Sequence, residues 1–161
     1  MAELQKIRTF LWYDKEAEEA ATHYVAAFKN SKVDHIDRLG EIGPKESGSI
    51  TIVEFTLAGQ QFIAMNAGPA FKFNNAISMF VLCEDQAEID RLWDHLLAGG
   101  GKEQACGWLT DRFGLSWQII PKRHMEMMRD PDKAKRDRVL AAMMEMVKFD
   151  IAALEKAYAG T

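Results

Sequence analysis

The chain has 161 residues, of which 48% are hydrophobic and 27% charged, and its net charge at pH 7 is −4. These values are typical of a folded globular protein and exclude wholesale disorder. The acidic balance and the lack of a long basic run argue against nucleic acid or an anionic membrane as a partner. No apolar stretch reaches the ~18 residues that a membrane helix needs, so no membrane partner is expected.

The first residues of the chain and its two cysteines indicate the cellular compartment of the protein. The first eight residues, MAELQKIR, are too polar for a secretion signal. Two cysteines, Cys83 and Cys106, cannot form a disulfide framework. We therefore expect a reduced, cytoplasmic protein.

The first half of the chain predicts one strand, one helix and three further strands. Ile7–Trp12 is a β-branched and aromatic run, which predicts a strand, and apolar residues recur at helical spacing over Glu16–Phe28. A turn centred on Gly59 then joins the last two of three predicted strands, which are Lys32–Leu39, Ile50–Leu57 and Gln61–Asn66.

The same order recurs about 70 residues later. Ile77–Cys83 predicts a strand and Gln86–Leu97 a helix, which the glycines at 99–101 end. A weak strand is predicted next, followed by two strands around a turn at Gly114; the three are Glu103–Cys106, Trp108–Arg112 and Ser116–Ile120. The chain therefore predicts an α+β fold of two βαβββ modules, at about 5–67 and 76–121, within a single domain spanning 1–161.

Residues 122–161 form a helical tail with a different composition. Helices are predicted over Lys133–Met146, with Asp130 as the capping residue, and over Asp150–Ala159. The tail holds six of the nine methionines. This methionine-rich surface either packs on the sheet or across a dimer interface, or it binds another protein, since methionine adapts to irregular contacts.

Three segments carry a resemblance to a known family. They are Asn66-Ala-Gly-Pro-Ala-Phe-Lys-Phe-Asn74, Cys106-Gly-Trp-Leu-Thr-Asp-Arg-Phe-Gly-Leu-Ser-Trp-Gln-Ile-Ile-Pro121, and the tail with Asp130-Pro-Asp and Arg138-Val-Leu-Ala-Ala-Met-Met. The chain resembles the PhnB-like branch of the vicinal oxygen chelate superfamily, often labelled 3-demethylubiquinone 3-methyltransferase. The resemblance implies the glyoxalase/bleomycin resistance-like fold, a concave pocket between the modules and, commonly, a homodimer.

Enzymes of that superfamily commonly hold a divalent metal through His and Glu side chains on the first and last strands of each module. The matching positions here fall near Ile7, Ala64, Ser78 and Gln118. Only Gln118 offers a ligand atom, and a weak one, so we predict no catalytic metal. No glycine-rich strand-to-helix turn of the dinucleotide-binding type occurs either, so we predict no cofactor.

The resulting hypothesis is a protein that binds a small molecule without a metal. Ligand pockets are mostly apolar with a few convergent polar groups. The candidates that fit this description are Asn66, Phe71, Phe73, Cys106, Trp108, Trp117 and Gln118. Cys106 is open to two interpretations, an activated thiol or a small apolar side chain. The alternative function is an enzyme of the family with metal-free chemistry, conceivably methyl transfer.

Overall fold

The computed structural model describes residues 3–161, which divide into two compact units between Lys72 and Phe73. Each unit contains a four-stranded sheet with a helix packed on it, and the second unit also contains the C-terminal helices. Among the described residues, no helix combines the length and the apolar character needed to span a membrane.

The first unit follows the predicted order. Its elements are β1 (Thr9–Tyr13), α1 (Ala17–Ala27), β2 (Lys32–Gly40), β3 (Ile50–Leu57) and β4 (Gln60–Asn66), with a short 3₁₀ helix at Lys45–Ser47 between β2 and β3. The strands lie in the order β1-β4-β3-β2. β1 runs parallel to β4, and the other two pairs are antiparallel.

The second unit repeats that topology. Its elements are β5 (Ser78–Cys83), α2 (Gln86–Leu97), β6 (Lys102–Glu103), β7 (Trp108–Thr110) and β8 (Ser116–Pro121). The strands lie in the order β5-β8-β7-β6, with β5 parallel to β8. The predicted repetition of βαβββ is therefore confirmed, although the weak strand is shorter and begins one residue earlier than predicted.

Each helix covers one face of its own sheet. The buried face of α1 consists mainly of alanines, whose small side chains let the helix approach Val53 and Phe55 closely. The hydroxyl groups of Tyr13 and Tyr24 lie 3.1 Å apart, so both are satisfied inside this core. In α2, Trp93 donates a hydrogen bond from Nε1 to Oε1 of Glu103 at 2.8 Å, which fixes the helix on the face of the second sheet that carries Glu103.

Three helices follow the second sheet: α3 (Lys122–Met127), α4 (Lys133–Met144) and α5 (Ile151–Ala159). The sequence pattern did not predict α3, whose six residues are too few to show a helical period. The predicted cap of α4, Asp130, is two residues too early. Asp132 caps it by accepting from the N–H of Ala134 at 2.9 Å, whereas Asp130 accepts a hydrogen bond from the hydroxyl of Tyr158.

The tail is attached to the second sheet at the residues before β7. The N–H groups of Cys106 and Gly107 donate to the carbonyls of Met146 and Val147, both at 2.8 Å. Gly107 has φ +78°, and a Cβ atom there would lie 2.4 Å from the ring of Phe149. Glycine is therefore required at 107, both for its backbone conformation and for the space that Phe149 occupies.

Candidate ligand-binding face

The second sheet has one face covered by α2 and an opposite face, which we call the distal face. Strand register places directly paired residues on the same side of a sheet. Gln118 is paired with Phe80 on β5 and with Trp108 on β7, and these three side chains form the central row of the distal face. The neighbouring positions on this face are Ser78, Leu82, Lys102, Thr110, Ser116 and Ile120.

The distal face combines exposed apolar groups with a few polar ones. Phe80 and Leu82 are 49% and 51% exposed, an unusual state for two large apolar residues on one strand. Beside them, Nε2 of Gln118 donates to Oγ of Ser78 at 2.9 Å. An amide has two N–H donors and a carbonyl acceptor. This bond uses one N–H of Gln118, so its second N–H can still donate and its carbonyl oxygen can accept. The face can therefore hold an apolar body and orient a polar group on it.

Two of the seven candidate residues, Trp108 and Gln118, lie together on this face. Trp117 lies on the opposite face, because adjacent residues of a strand alternate. It is 2% exposed, and its Nε1 donates to Oδ2 of the buried Asp111 at 2.8 Å. Asp111 also accepts from the N–H of Phe113, at 2.9 Å. Trp117 is thus a core residue of the second unit.

Two candidates, Asn66 and Phe71, belong to the first unit. Oδ1 of Asn66 accepts a hydrogen bond from the N–H of Ala17 at 2.7 Å, so this side chain satisfies a free donor at the start of α1. Phe71 packs edge-on against Trp12, with ring centroids 5.0 Å apart and an interplanar angle of 87°. Trp12 is itself held by a hydrogen bond from Nε1 to the carbonyl of Gly68 at 2.9 Å.

The remaining candidates, Phe73 and Cys106, lie in loops of the second unit. Phe73 is adjacent to the turn at Gly114, 4.0 Å from where a Cβ atom would be. Cys106 has a φ of 58°, and its Sγ lies 3.7 Å from the carbonyl oxygen of Met143 and 3.9 Å from Sδ of Met144. Cys106 is therefore a partly exposed loop residue in contact with the tail, and neither a strand residue nor a fully buried one.

Several distal-face residues were not among the candidates. Ser78, Phe80 and Leu82 stand at alternate positions of β5 and share the face of Gln118. The signal that could have found them is the alternation within Ser78–Cys83. That signal is hidden because the intervening residues, Met79, Val81 and Cys83, are apolar as well, so the segment looks uniformly hydrophobic.

The residues at the expected metal positions do not fit a divalent ion. Ile7 lies before β1 with 86% of its surface exposed, and Ala64 is buried on the α1 side of the first sheet. The two residues next to Ala64, Ile63 and Met65, point to the other side of β4 and offer no oxygen or nitrogen ligand. Among residues 3–161, no three His, Cys, Asp or Glu side chains come together as a ligand set.

A nucleotide-type cofactor has no matching glycine-rich turn in the described part of the chain. The glycines at 99–101 follow α2, and Gly59 lies in the β3–β4 hairpin. Gly68 follows β4, and a Cβ atom there would lie 2.3 Å from the carbonyl oxygen of Glu46, so the space beside it is filled by the chain itself.

The repeated βαβββ topology defines a protein of the glyoxalase fold. Solved structures with this fold match the chain. The PhnB protein from Bacillus cereus is 34% identical, with a TM-score of 0.65, over 73% of this chain and 99% of its own. Protein PA1353 from Pseudomonas aeruginosa is 20% identical, with a TM-score of 0.56, over 74% of this chain and 98% of its own. The fosfomycin resistance protein FosX from Listeria monocytogenes is 13% identical, with a TM-score of 0.54, over 81% of this chain and 99% of its own.

A family model described as 3-demethylubiquinone-9 3-methyltransferase matches residues 5–120. The chain therefore belongs to this family, the PhnB-like branch of the vicinal oxygen chelate superfamily. No curated protein matches the sequence. The family match ends at residue 120, one residue before the end of β8, so the tail helices lie beyond it.

Proposed function

We propose that this protein binds a small molecule on the distal face, with Trp108 and Phe80 contacting its apolar body and Gln118 its polar group. The observation that carries the proposal is the central row of the distal face, where an amide with spare hydrogen-bonding capacity lies between two aromatic residues. Binding sites of small ligands have this composition.

The test is native mass spectrometry of gently purified protein, comparing native and denatured masses. We expect an additional organic mass that is lost on denaturation. Replacing Trp108 by Ala should abolish the added mass, whereas Leu140→Ala, which removes an exposed apolar side chain on α4, should leave it unchanged. A bound mass that survives Trp108→Ala would place the ligand elsewhere and contradict the proposal.

The family description favours a second candidate function, methyl transfer to an oxygen of a demethylated quinone precursor. That reaction moves a methyl group from a donor such as S-adenosylmethionine to an oxygen nucleophile, whose proton must be removed. Calorimetric titration with S-adenosylmethionine, followed by an assay with the labelled methyl donor and a demethylated quinol, tests it. Absence of both donor binding and methyl incorporation would leave ligand binding as the remaining function.

We further propose that the protein is a cytoplasmic homodimer. Ile7, Phe10 and Ile42 are large apolar side chains with half or more of their surface exposed, which supports burial against a second copy. Free cysteines suit a reducing compartment. Light scattering coupled to size-exclusion chromatography should give a mass near twice 18.2 kDa, and a mass of one chain at micromolar concentration would contradict the dimer.

A further inference from the structure

A second group of polar side chains continues along the distal face. Oγ of Ser116 donates to Oδ1 of Asn75 at 2.7 Å, and Nδ2 of Asn75 donates to Oε1 of Gln104 at 3.1 Å. Nε2 of Gln104 in turn donates to Oγ1 of Thr110 at 2.6 Å. Ser116 and Thr110 are directly paired on β8 and β7, so this chain of hydrogen bonds begins and ends on adjacent strands of the same face.

The side chains in this hydrogen-bond network (Ser116, Asn75, Gln104 and Thr110), and in the nearby Ser78–Gln118 pair, are all uncharged amides or hydroxyls. The neighbouring carboxylates are engaged on the other side of the sheet, Glu103 by Trp93 and Asp111 by Trp117. Of the described residues that register places on the distal face, Lys102 is the charged one. It lies on the edge strand β6, where it is paired with Thr110 on the next strand, and two strands from Gln118, or about 10 Å or more at ordinary strand spacing.

We infer that the distal face selects ligands whose polar group is uncharged and can both donate and accept hydrogen bonds, such as a carboxamide, and discriminates against the isosteric carboxylate. This inference rests on the proposed function. An anion placed among Phe80, Leu82 and Trp108 would lose its hydration, and neutral amide donors replace only part of it. A carboxamide loses less hydration, and its carbonyl and one of its N–H groups can pair with the remaining N–H and the carbonyl of Gln118.

The hydrogen-bond network contributes to this selectivity by fixing the positions of Ser116 and Thr110 on the distal face. Because Ser116 is fully buried and already bonded to Asn75, it does not compete with Gln118 for the ligand. Thr110 accepts from Gln104, so its own hydroxyl proton stays available to a ligand acceptor. The described part of the face thus presents a neutral donor at Thr110 and a neutral donor and acceptor at Gln118, and its one cation, Lys102, lies on the edge side of Thr110, away from Gln118.

The test measures three probes that share one apolar body, the isosteric 4-propylbenzamide and 4-propylbenzoate and the unsubstituted propylbenzene, by calorimetry or ligand-observed NMR at pH 7.5. We expect the amide to bind at least about tenfold more tightly than the benzoate. Gln118→Leu should remove most of the advantage of the amide over propylbenzene while leaving propylbenzene affinity within about twofold. The thermal midpoint of this variant shows whether it is folded, and Gln61→Leu, a polar residue of β4 in the first sheet, is the matched control.

The outcomes separate this inference from the proposed function. Equal or tighter binding of the benzoate overturns the inference, and loss of that binding in Lys102→Ala would identify Lys102 as the group responsible. An unchanged ratio of amide to propylbenzene in Gln118→Leu also overturns it. Propylbenzene binding that is insensitive to Trp108→Ala, or the absence of binding by any probe, contradicts the site itself.

Discussion

His124 is a buried histidine at the junction between the second sheet and the tail. Its ring centroid lies 5.1 Å from that of Phe149, and its Nδ1 has no hydrogen-bond partner among the described residues. Burial is the cause that lowers the pKa of His124 below its ordinary value. Arg123, the residue before it on α3, forms ion pairs with Glu126 of α3 and with Glu155 of α5.

The lowered pKa of His124 predicts a loss of stability in mild acid. The unfolded chain takes up this proton near the ordinary histidine pKa of ~6.5 and the folded chain only at lower pH, so stability is complete above that pKa and falls as the pH drops towards the folded value. Urea titrations at pH 7.5 and 5.5 measure the free energy of unfolding. His124→Phe should reduce its pH dependence, and His35→Phe, at an exposed histidine of β2, is the control. An unchanged pH dependence in His124→Phe would contradict this assignment.

The two cysteines predict a large difference in thiol reactivity. Cys83 is fully buried at the end of β5, and burial raises its pKa to about 12. Cys106 is partly exposed in its loop. We expect one equivalent of a thiol reagent to react in the folded protein at pH 8 and two in denaturant, with peptide mapping assigning the first to Cys106. Labelling of Cys83 in the folded state would contradict the packing of β5 against α2.

At the scale of single elements, Gly107 and Phe149 form the contact that holds the tail against the sheet. Gly107→Ala introduces a methyl group 2.4 Å from a ring carbon of Phe149, in a backbone conformation with φ +78°. Gly40→Ala is the matched control, since its φ is +73° and no heavy atom lies within 4 Å. Both variants carry the strain of positive φ, about 1–2 kcal/mol, and Gly107→Ala should lose about 1–3 kcal/mol more from steric overlap.

Urea denaturation measures both variants, and Gly107→Ala should also weaken binding at the distal face, since Trp108 is the next residue. Equal losses of stability in the two variants would mean that Phe149 yields to the methyl group at no cost. In that case the tail would not fix the start of β7.

Element order was predictable because each helix and strand has its own apolar period. The boundaries of Ile50–Leu57 and Gln86–Leu97 agree with the prediction to the residue, since a tight turn or a cap ends each. Which face a strand residue takes was harder to predict. Trp117 and Gln118 are adjacent and both suit a pocket, and it takes the burial of Trp117 and its contact with Asp111 to show which of them belongs to the core. The role of Asn66 was likewise hidden, because its partner Ala17 is 49 residues away.

At the scale of the whole molecule, the chain forms two compact units, and the tail belongs to the second. Arg123 forms a bidentate ion pair with Glu155, Lys148 pairs with Asp90, and Leu154 is fully buried. In a chain lacking residues 129–161, we expect amide hydrogen exchange to rise sharply in β7 and β8 and to remain slow in β3 and β4. Equal acceleration in all four strands would show that the units unfold as one.

The bonds made by Gln86 also bear on how the chain folds as it is synthesised. This residue opens α2, yet its side chain donates to the carbonyl of Phe149 and accepts from the N–H of Ile151, both at 3.0 Å. Those partners lie 63 and 65 residues further along the chain, so they leave the ribosome well after α2. The first unit has all its strands available before residues 149–151 are made, whereas the second acquires the contacts of Gln86 only once those residues have left the ribosome. A premature stop would thus release a chain whose first half is complete and whose second half exposes the apolar surface that attracts chaperones and proteases.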